Sequence, residues 1–196
     1  CADTEKVALP ALGALRREIA QQRGLVANEN KFCWVTEFPL LEYNDDEKRW
    51  QAMHHPFTAP RPEDLAILES DPGKVMARAY DCVLNGTEIG GGSIRIHRPD
   101  VQQRVFKLIN IDEAQAREKF FYLLDALDFG APPHGGIAFG LDRLAMLLTG
   151  SASLRDVIAF PKTQNAGCPL TQAPGTVSPE QLEELFLISN APDEDE

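Results

Sequence analysis

The sequence predicts an α+β domain, an antiparallel β-sheet flanked by helices. Residues 77–84 and 87–96 are two β-rich runs separated by Asn85-Gly86, the strongest short hairpin signature. Segments with helical spacing at 10–23, 112–127 and 141–148 are interleaved with strand-like segments at 32–38 and 136–139. Hairpins dominate the β part, which argues against a doubly wound parallel sheet.

Each element has its own local cause. The 10–23 helix carries Pro10 at its start and Gly24 beyond its end, with Leu12, Leu15 and Ile19 on one face. The polar stretch 27–31 reads as a linker, and Pro39 ends the strand that follows. Residues 44–48 read as an exposed turn. Residues 62–68 read as a short helix with acids in its first turn, where they suit the dipole. In 112–127, Phe120, Leu123, Leu124 and Leu127 share a face. The acidic end, 193–196, is expected to be disordered. No internal repeat is present.

The 196 residues carry 19 basic and 30 acidic side chains, a net charge of −11. Such a balance disfavours non-specific nucleic-acid binding, which needs Lys and Arg against phosphate. Any RNA contact is expected to be local or to lie on other parts of a longer protein. No apolar run is long enough to span a membrane. The start does not look like a signal peptide, and without an initiator Met the chain is expected to be a fragment. Cys1, Cys33, Cys82 and Cys168 are far apart, which disfavours a zinc site. Cys33 and Cys82 are expected to be buried thiols, suited to a reducing compartment.

The hairpin brings the first chemistry. With a two-residue loop at Asn85-Gly86, Leu84 pairs with Thr87, Val83 with Glu88 and Asp81 with Gly90. Asp81 and Glu88 then share a face. Two outcomes fit: both acids face water, or a divalent cation with hard oxygen preference sits between them, Mg²⁺ arriving with phosphates. Gly90-Gly91-Gly92 marks a bulge or a close approach by another chain or a ligand. Strict alternation puts Arg95 opposite Glu88; one bulge within the glycines returns it to the same face. Arg95 is then either a surface residue or a two-pronged grip on a carboxylate.

In His54-His55-Pro56-Phe57-Thr58, adjacent histidines on an extended chain point opposite ways, one to a pocket and one to the core. An imidazole there could hold a carboxylate, or the segment is a structural loop with one packed His. Residues 132–144 run from a Gly-rich strand into a helix with Arg143 in its first turn. The dipole disfavours a cation there unless an anion such as a triphosphate is bound. Asp142 suits a helix N-terminus and reads equally as a cap.

At this point the sequence resembles a known family. Gly136-Ile137-Ala138-Phe139-Gly140-Leu141-Asp142-Arg143-Leu144 is similar to motif 3 of the class II aminoacyl-tRNA synthetases. The segments 54–58, 85–97, 120–127 and 155–162 resemble the bacterial and organellar aspartyl enzymes of that class, in matching order. The resemblance covers about Lys31 to Ile188, and implies the C-terminal part of the catalytic domain. It assigns residues 1–28 to the end of an inserted extra domain, 29–188 to the catalytic domain and 189–196 to an acidic tail.

Position by position, the resemblance implies that Arg95 holds the side-chain carboxylate of aspartate, with His54 and His55 lining its pocket. It implies that Asp81 and Glu88 hold Mg²⁺ on ATP. Glu88, Gly140, Leu141, Asp142 and Arg143 bind ATP, with Arg143 facing the γ-phosphate. Aspartate, ATP and tRNA-Asp are the implied partners, in a cytoplasmic homodimer with no membrane attachment. Motif 1, motif 2 and the anticodon-binding barrel have no counterpart in these residues, so the chain alone is expected to be inactive. The alternative is a synthetase-like paralogue that binds aspartate or nucleotide without ligase activity.

Overall fold

The computed structural model describes residues 2–27 and 29–190. The expected disorder at 193–196 and most of the acidic tail lie outside the described residues, as does Cys1. The described chain divides into two compact units, Cys1–Phe139 and Gly140–Glu196.

The first unit begins with α1 (Glu5–Gln22). It starts five residues earlier than the sequence suggests, so Pro10 sits inside it and forfeits one helical hydrogen bond. Gly24 takes φ +62, and the Leu25 N–H returns to the Ala20 carbonyl, closing the C-terminus. No residue of α1 is buried. The apolar stripe Leu12, Leu15 and Ile19 faces solvent in this chain.

Strand β1 (Phe32–Val35) is shorter than expected, because Glu37 adopts a left-handed φ of 66° before Pro39. Cys33 on it is exposed, which corrects the expectation of a buried thiol; β1 is an edge strand. Cys82 on the neighbouring interior strand is buried as expected. The expected turn at 44–48 closes a hairpin the sequence reading left unmarked, β2 (Leu41–Asn44) with β3 (Arg49–Ala52). The helix at 62–68 is a 3-10 helix over Pro62–Ile67.

Strands β4 (Ala79–Leu84) and β5 (Thr87–Ile94) form the predicted hairpin. Asn85 and Gly86 both have positive φ, 51° and 82°, as a two-residue turn matched to strand twist demands. β6 (Gly135–Phe139) joins β5 to complete an antiparallel sheet of order β1-β4-β5-β6.

Helix α2 (Pro99–Leu108) is absent from the sequence expectations. Its signal is nonetheless present: Pro99 at the first position, Asp100 in the first turn, and Val101, Val105 and Phe106 at helical spacing. Helix α3 (Glu113–Asp128) follows, its N-terminus capped by Asp112 accepting from the Gln115 N–H. The core lies among β2, residues 68–79, Ile96 and these two helices, with Leu41, Leu68, Val75, Val105 and Phe106 all but inaccessible. Phe57, Phe106 and Phe120 meet at ring separations of 6.2, 5.3 and 5.5 Å. Such aromatic pairs add about 0.5–1.5 kcal/mol each beyond their buried area.

The second unit holds α4 (Leu141–Thr149), a 3-10 turn at Leu154–Asp156 and α5 (Pro179–Glu184). Gly150, at φ +66, stops α4. Gly140 is the N-cap of α4, so Asp142 lies within the first turn and is not the cap. Ser153 and Ser178 open the other two helical segments with capping boxes.

Candidate active site

The β4–β5 ladder decides which side chains share a face. Leu84 pairs with Thr87 and Val83 with Glu88, but Cys82 pairs with Gly90 and Asp81 with Gly91. Ile89 is therefore an extra residue, and the register beyond it shifts by one. The expected partner of Asp81 was Gly90; the bulge moves it to Gly91. The bulge also lies one residue before the glycine run, at a buried isoleucine. Glycine's tolerance of positive φ is not used there, since no residue from 88 to 95 has positive φ.

Glu88, opposite Val83, shares a face with Asp81 in either register; the shift brings Gly91, Ser93 and Arg95 onto that face. These side chains open into a cleft of about 320 Å³, together with His54, His55 and Ala138. The three glycines serve space. A Cβ on Gly90 would meet the Phe139 ring at 2.6 Å and the Ala138 carbonyl oxygen at 2.8 Å, both on β6. One on Gly92 would overlap the Gly136 carbonyl oxygen. One on Gly91 would lie 2.5 Å from Asp81 Oδ1 and 3.6 Å from Glu88 Oε1. The space above Gly91 is thus bounded by both acids.

At this acidic end, burial pushes the Asp81 carboxyl above the usual range; the neighbouring Glu88 charge adds to the rise and His54 opposes it. Among the described residues no group of three or more His, Cys, Asp or Glu side chains could enclose a metal. The pair is two hard oxygen donors, which suits a cation whose remaining ligands are water and phosphate.

The basic end is built differently. Arg95 lies between two segments of the backbone: Thr58 bridges to it on one side, and its N–H donates to the His134 carbonyl on the other. Its Nη1 donates to His55 Nδ1 at 3.1 Å, and the Phe57 N–H donates to the same nitrogen at 3.1 Å. Both partners are donors, so Nδ1 is the acceptor and His55 is neutral with its proton on Nε2. Desolvation holds the His55 pKa below its ordinary value, and the charges of Arg95 and His54 lower it further.

Both histidines line the one cleft. The expectation that they diverge fails because residues 53–57 bend and turn instead of running extended. The His54 ring packs edge-on to Phe38 at 5.0 Å. The sequence reading also passed over two buried polar groups under the loop, Thr58 and Ser93, whose hydroxyls lie 3.4 Å apart.

The remaining predicted residues, Gly140, Leu141, Asp142 and Arg143, open α4 in the second unit. There the Arg143 stem lies 3.5–3.6 Å from where a Cβ on Gly140 would stand. Leu141 is largely exposed.

The sequence profile of the tRNA synthetases class II (D, K and N) matches residues 14–164, three-quarters of the chain. The chain belongs to the class II tRNA synthetases of this D, K and N group. A protein of Syntrophomonas wolfei named aspartate–tRNA(Asp/Asn) ligase is 58% identical over 187 residues, 95% of this chain and 32% of that protein. Its namesake in Desulfotalea psychrophila is 62% identical over 187 residues, again 95% of this chain and 31% of the relative. This synthetase chain therefore spans about a third of the length of the curated relatives it matches. Among solved structures, an aspartyl-tRNA synthetase from Entamoeba histolytica aligns with TM-score 0.52 at 24% identity, covering 76% of this chain and 25% of that one. An asparaginyl-tRNA synthetase of the same organism aligns with TM-score 0.54 at 21% identity, over 78% and 28%. At these identities the likeness bears on the fold, the antiparallel sheet with flanking helices of class II synthetases.

Proposed function

We propose that this chain supplies the aspartate pocket and part of the ATP site of an aspartate–tRNA ligase. The full-length protein would join aspartate to ATP with release of pyrophosphate, then pass the aspartyl group to the 3′ end of tRNA-Asp. The observation that carries the reading is the convergence of Arg95 and His55 with Asp81 and Glu88 on one sheet face. Arg95 can offer a planar pair of N–H donors to the side-chain carboxylate of aspartate while His55 accepts from its Nη1. Asp81 and Glu88 would hold Mg²⁺, which neutralises phosphate charge when bound. Gly140, Leu141, Asp142 and Arg143, in the second unit, are assigned to ATP by their likeness to motif 3, Arg143 to the γ-phosphate. Acceleration then comes from positioning and charge stabilisation, with no covalent enzyme intermediate.

The close relatives support the assignment to aspartate by their names and identity. No helix among the described residues is long and apolar enough to cross a membrane. We place the full-length enzyme in the cytoplasm as a homodimer.

The test is aspartate-dependent pyrophosphate exchange by the full-length protein and its Arg95→Ala variant. The variant is expected to raise the aspartate KM and lower kcat/KM while the ATP KM changes little. Normal use of aspartate by the variant rejects the role. Aspartate binding without any exchange by the wild type would instead point to a binding paralogue.

A further inference from the structure

Resting on the aspartate reading above, we propose that Gln102 is a positioning residue that sets the geometry of His55 and Arg95 through one peptide group. Gln102 lies on α2 and is 1% exposed. Its Nε2 donates to the Pro56 carbonyl at 2.8 Å. That carbonyl belongs to the same planar peptide as the Phe57 N–H, which donates to His55 Nδ1. The series runs from the Gln102 amide to the Pro56–Phe57 peptide, to His55 and to the Arg95 guanidinium. Because the peptide is rigid, a rotation at Pro56 turns the Phe57 N–H away from His55. One helical turn along, Phe106 packs its ring on Phe57 at 6.2 Å. Helix α2 thus holds two consecutive residues of the loop, one by a hydrogen bond and one by packing.

The orientation of the amide is fixed by its partner. A carbonyl only accepts, so the NH₂ group must face Pro56. The other end, Oε1, is then buried without a hydrogen-bond partner among the described residues. A buried amide oxygen left in this way costs folding free energy. Gln102 also borders a second cavity beside His55 and Arg95, so it stands directly behind the basic end of the cleft.

The experiment compares wild type with Gln102→Met in the full-length protein, by calorimetric titration with aspartate, by ATP KM and by thermal unfolding. Methionine keeps the volume, removes the donor to Pro56 and removes the unpartnered oxygen. The expected result is a rise of about three- to tenfold in the aspartate Kd, the loss of one hydrogen bond. The ATP KM and Tm should stay near wild type. A merely structural Gln102 would lower Tm and leave the aspartate Kd alone. Gln102→Asn, an amide too short to reach Pro56, should share the aspartate defect. A folded variant of either kind with wild-type aspartate affinity overturns the positioning role alone. Failure of both variants to fold also overturns it, since a positioning residue must be dispensable to folding. A wild-type protein that ignores aspartate overturns both this role and the functional reading beneath it.

Discussion

The two ends of the cleft are prepared to different degrees. At the basic end the protein itself fixes the side chains: His55 Nδ1 accepts from both the Phe57 N–H and Arg95, and α2 backs the loop through Pro56 and Phe57. At the acidic end Asp81 and Glu88 bound a common space above Gly91, and burial, with the Glu88 charge adding to it, lifts the Asp81 pKa. The difference follows from what each end would bind. A carboxylate needs two donors held at a fixed angle, whereas a hydrated cation brings its own octahedron and asks only for negative oxygen.

The largest effect should come from the basic end. Arg95→Ala is expected to cost about 2–5 kcal/mol in aspartate binding, because its substrate carboxylate is left desolvated and unpaired. Arg95→Lys should recover only part of this, since a point charge does not reproduce the planar fork. Aspartate KM values for the pair of variants measure the difference, and equal recovery by Lys would show that charge alone suffices.

Neighbouring glycines sharpen the contrast between site and scaffold. Gly92→Ala drives a methyl into the Gly136 backbone oxygen, so the β5–β6 pairing must shift. A stability loss of about 1–3 kcal/mol or more is expected in denaturant unfolding. Gly91→Ala meets the Asp81 carboxylate, a side chain able to move. Its unfolding midpoint should change little, while Mg·ATP affinity falls. Gly91→Val should do the same to a greater degree. Equal destabilisation by the two alanines would mean that the space above Gly91 is structural.

Asp81→Asn removes one of the two acidic oxygen donors. Mg·ATP affinity should fall about tenfold, the worth of one charged contact, while aspartate affinity holds. The same change relieves the repulsion from Glu88, so unfolding stability should not drop.

The smallest effect concerns pH. His55 has a folded-state pKa depressed by desolvation, Arg95 and His54, so the neutral ring is favoured in the native protein. Its contribution to stability is present above the ordinary histidine value and is lost as pH falls through the depressed one. Protonation would also remove the acceptor for Arg95, so aspartate affinity should weaken in that same acidic window. His54, Asp81 and Glu88 face the same cleft. His55→Asn, which cannot titrate, should flatten the profile measured by calorimetry; an unchanged slope would show that His55 does not set it.

Much of this site was legible in the sequence because hairpin chemistry is local. Asn85-Gly86 fixed the turn, and two-residue alternation then paired Val83 with Glu88. Counting residues put Arg95 opposite Glu88 in a regular strand, so the shared site that the resemblance implies required a bulge between them. Its position did not follow: the bulge falls at Ile89, while the glycines answer to β6, which crowds Gly90 and Gly92. The bend at His54-His55 was hidden for a similar reason, being held by distant Gln102 and Arg95. Helix α2 was missed although its start signals are local. The exposed stripe on α1 shows the converse: periodicity identifies a helix but not what covers it.

The most direct test of the account is a crystal structure of the full-length protein with aspartate, Mg²⁺ and a non-hydrolysable ATP analogue. The side-chain carboxylate of aspartate should lie across the Arg95 guanidinium beside His55, with Mg²⁺ bound by Asp81 and Glu88 and by phosphate oxygens. Aspartate bound away from Arg95, or a cation that touches neither acid, would contradict it.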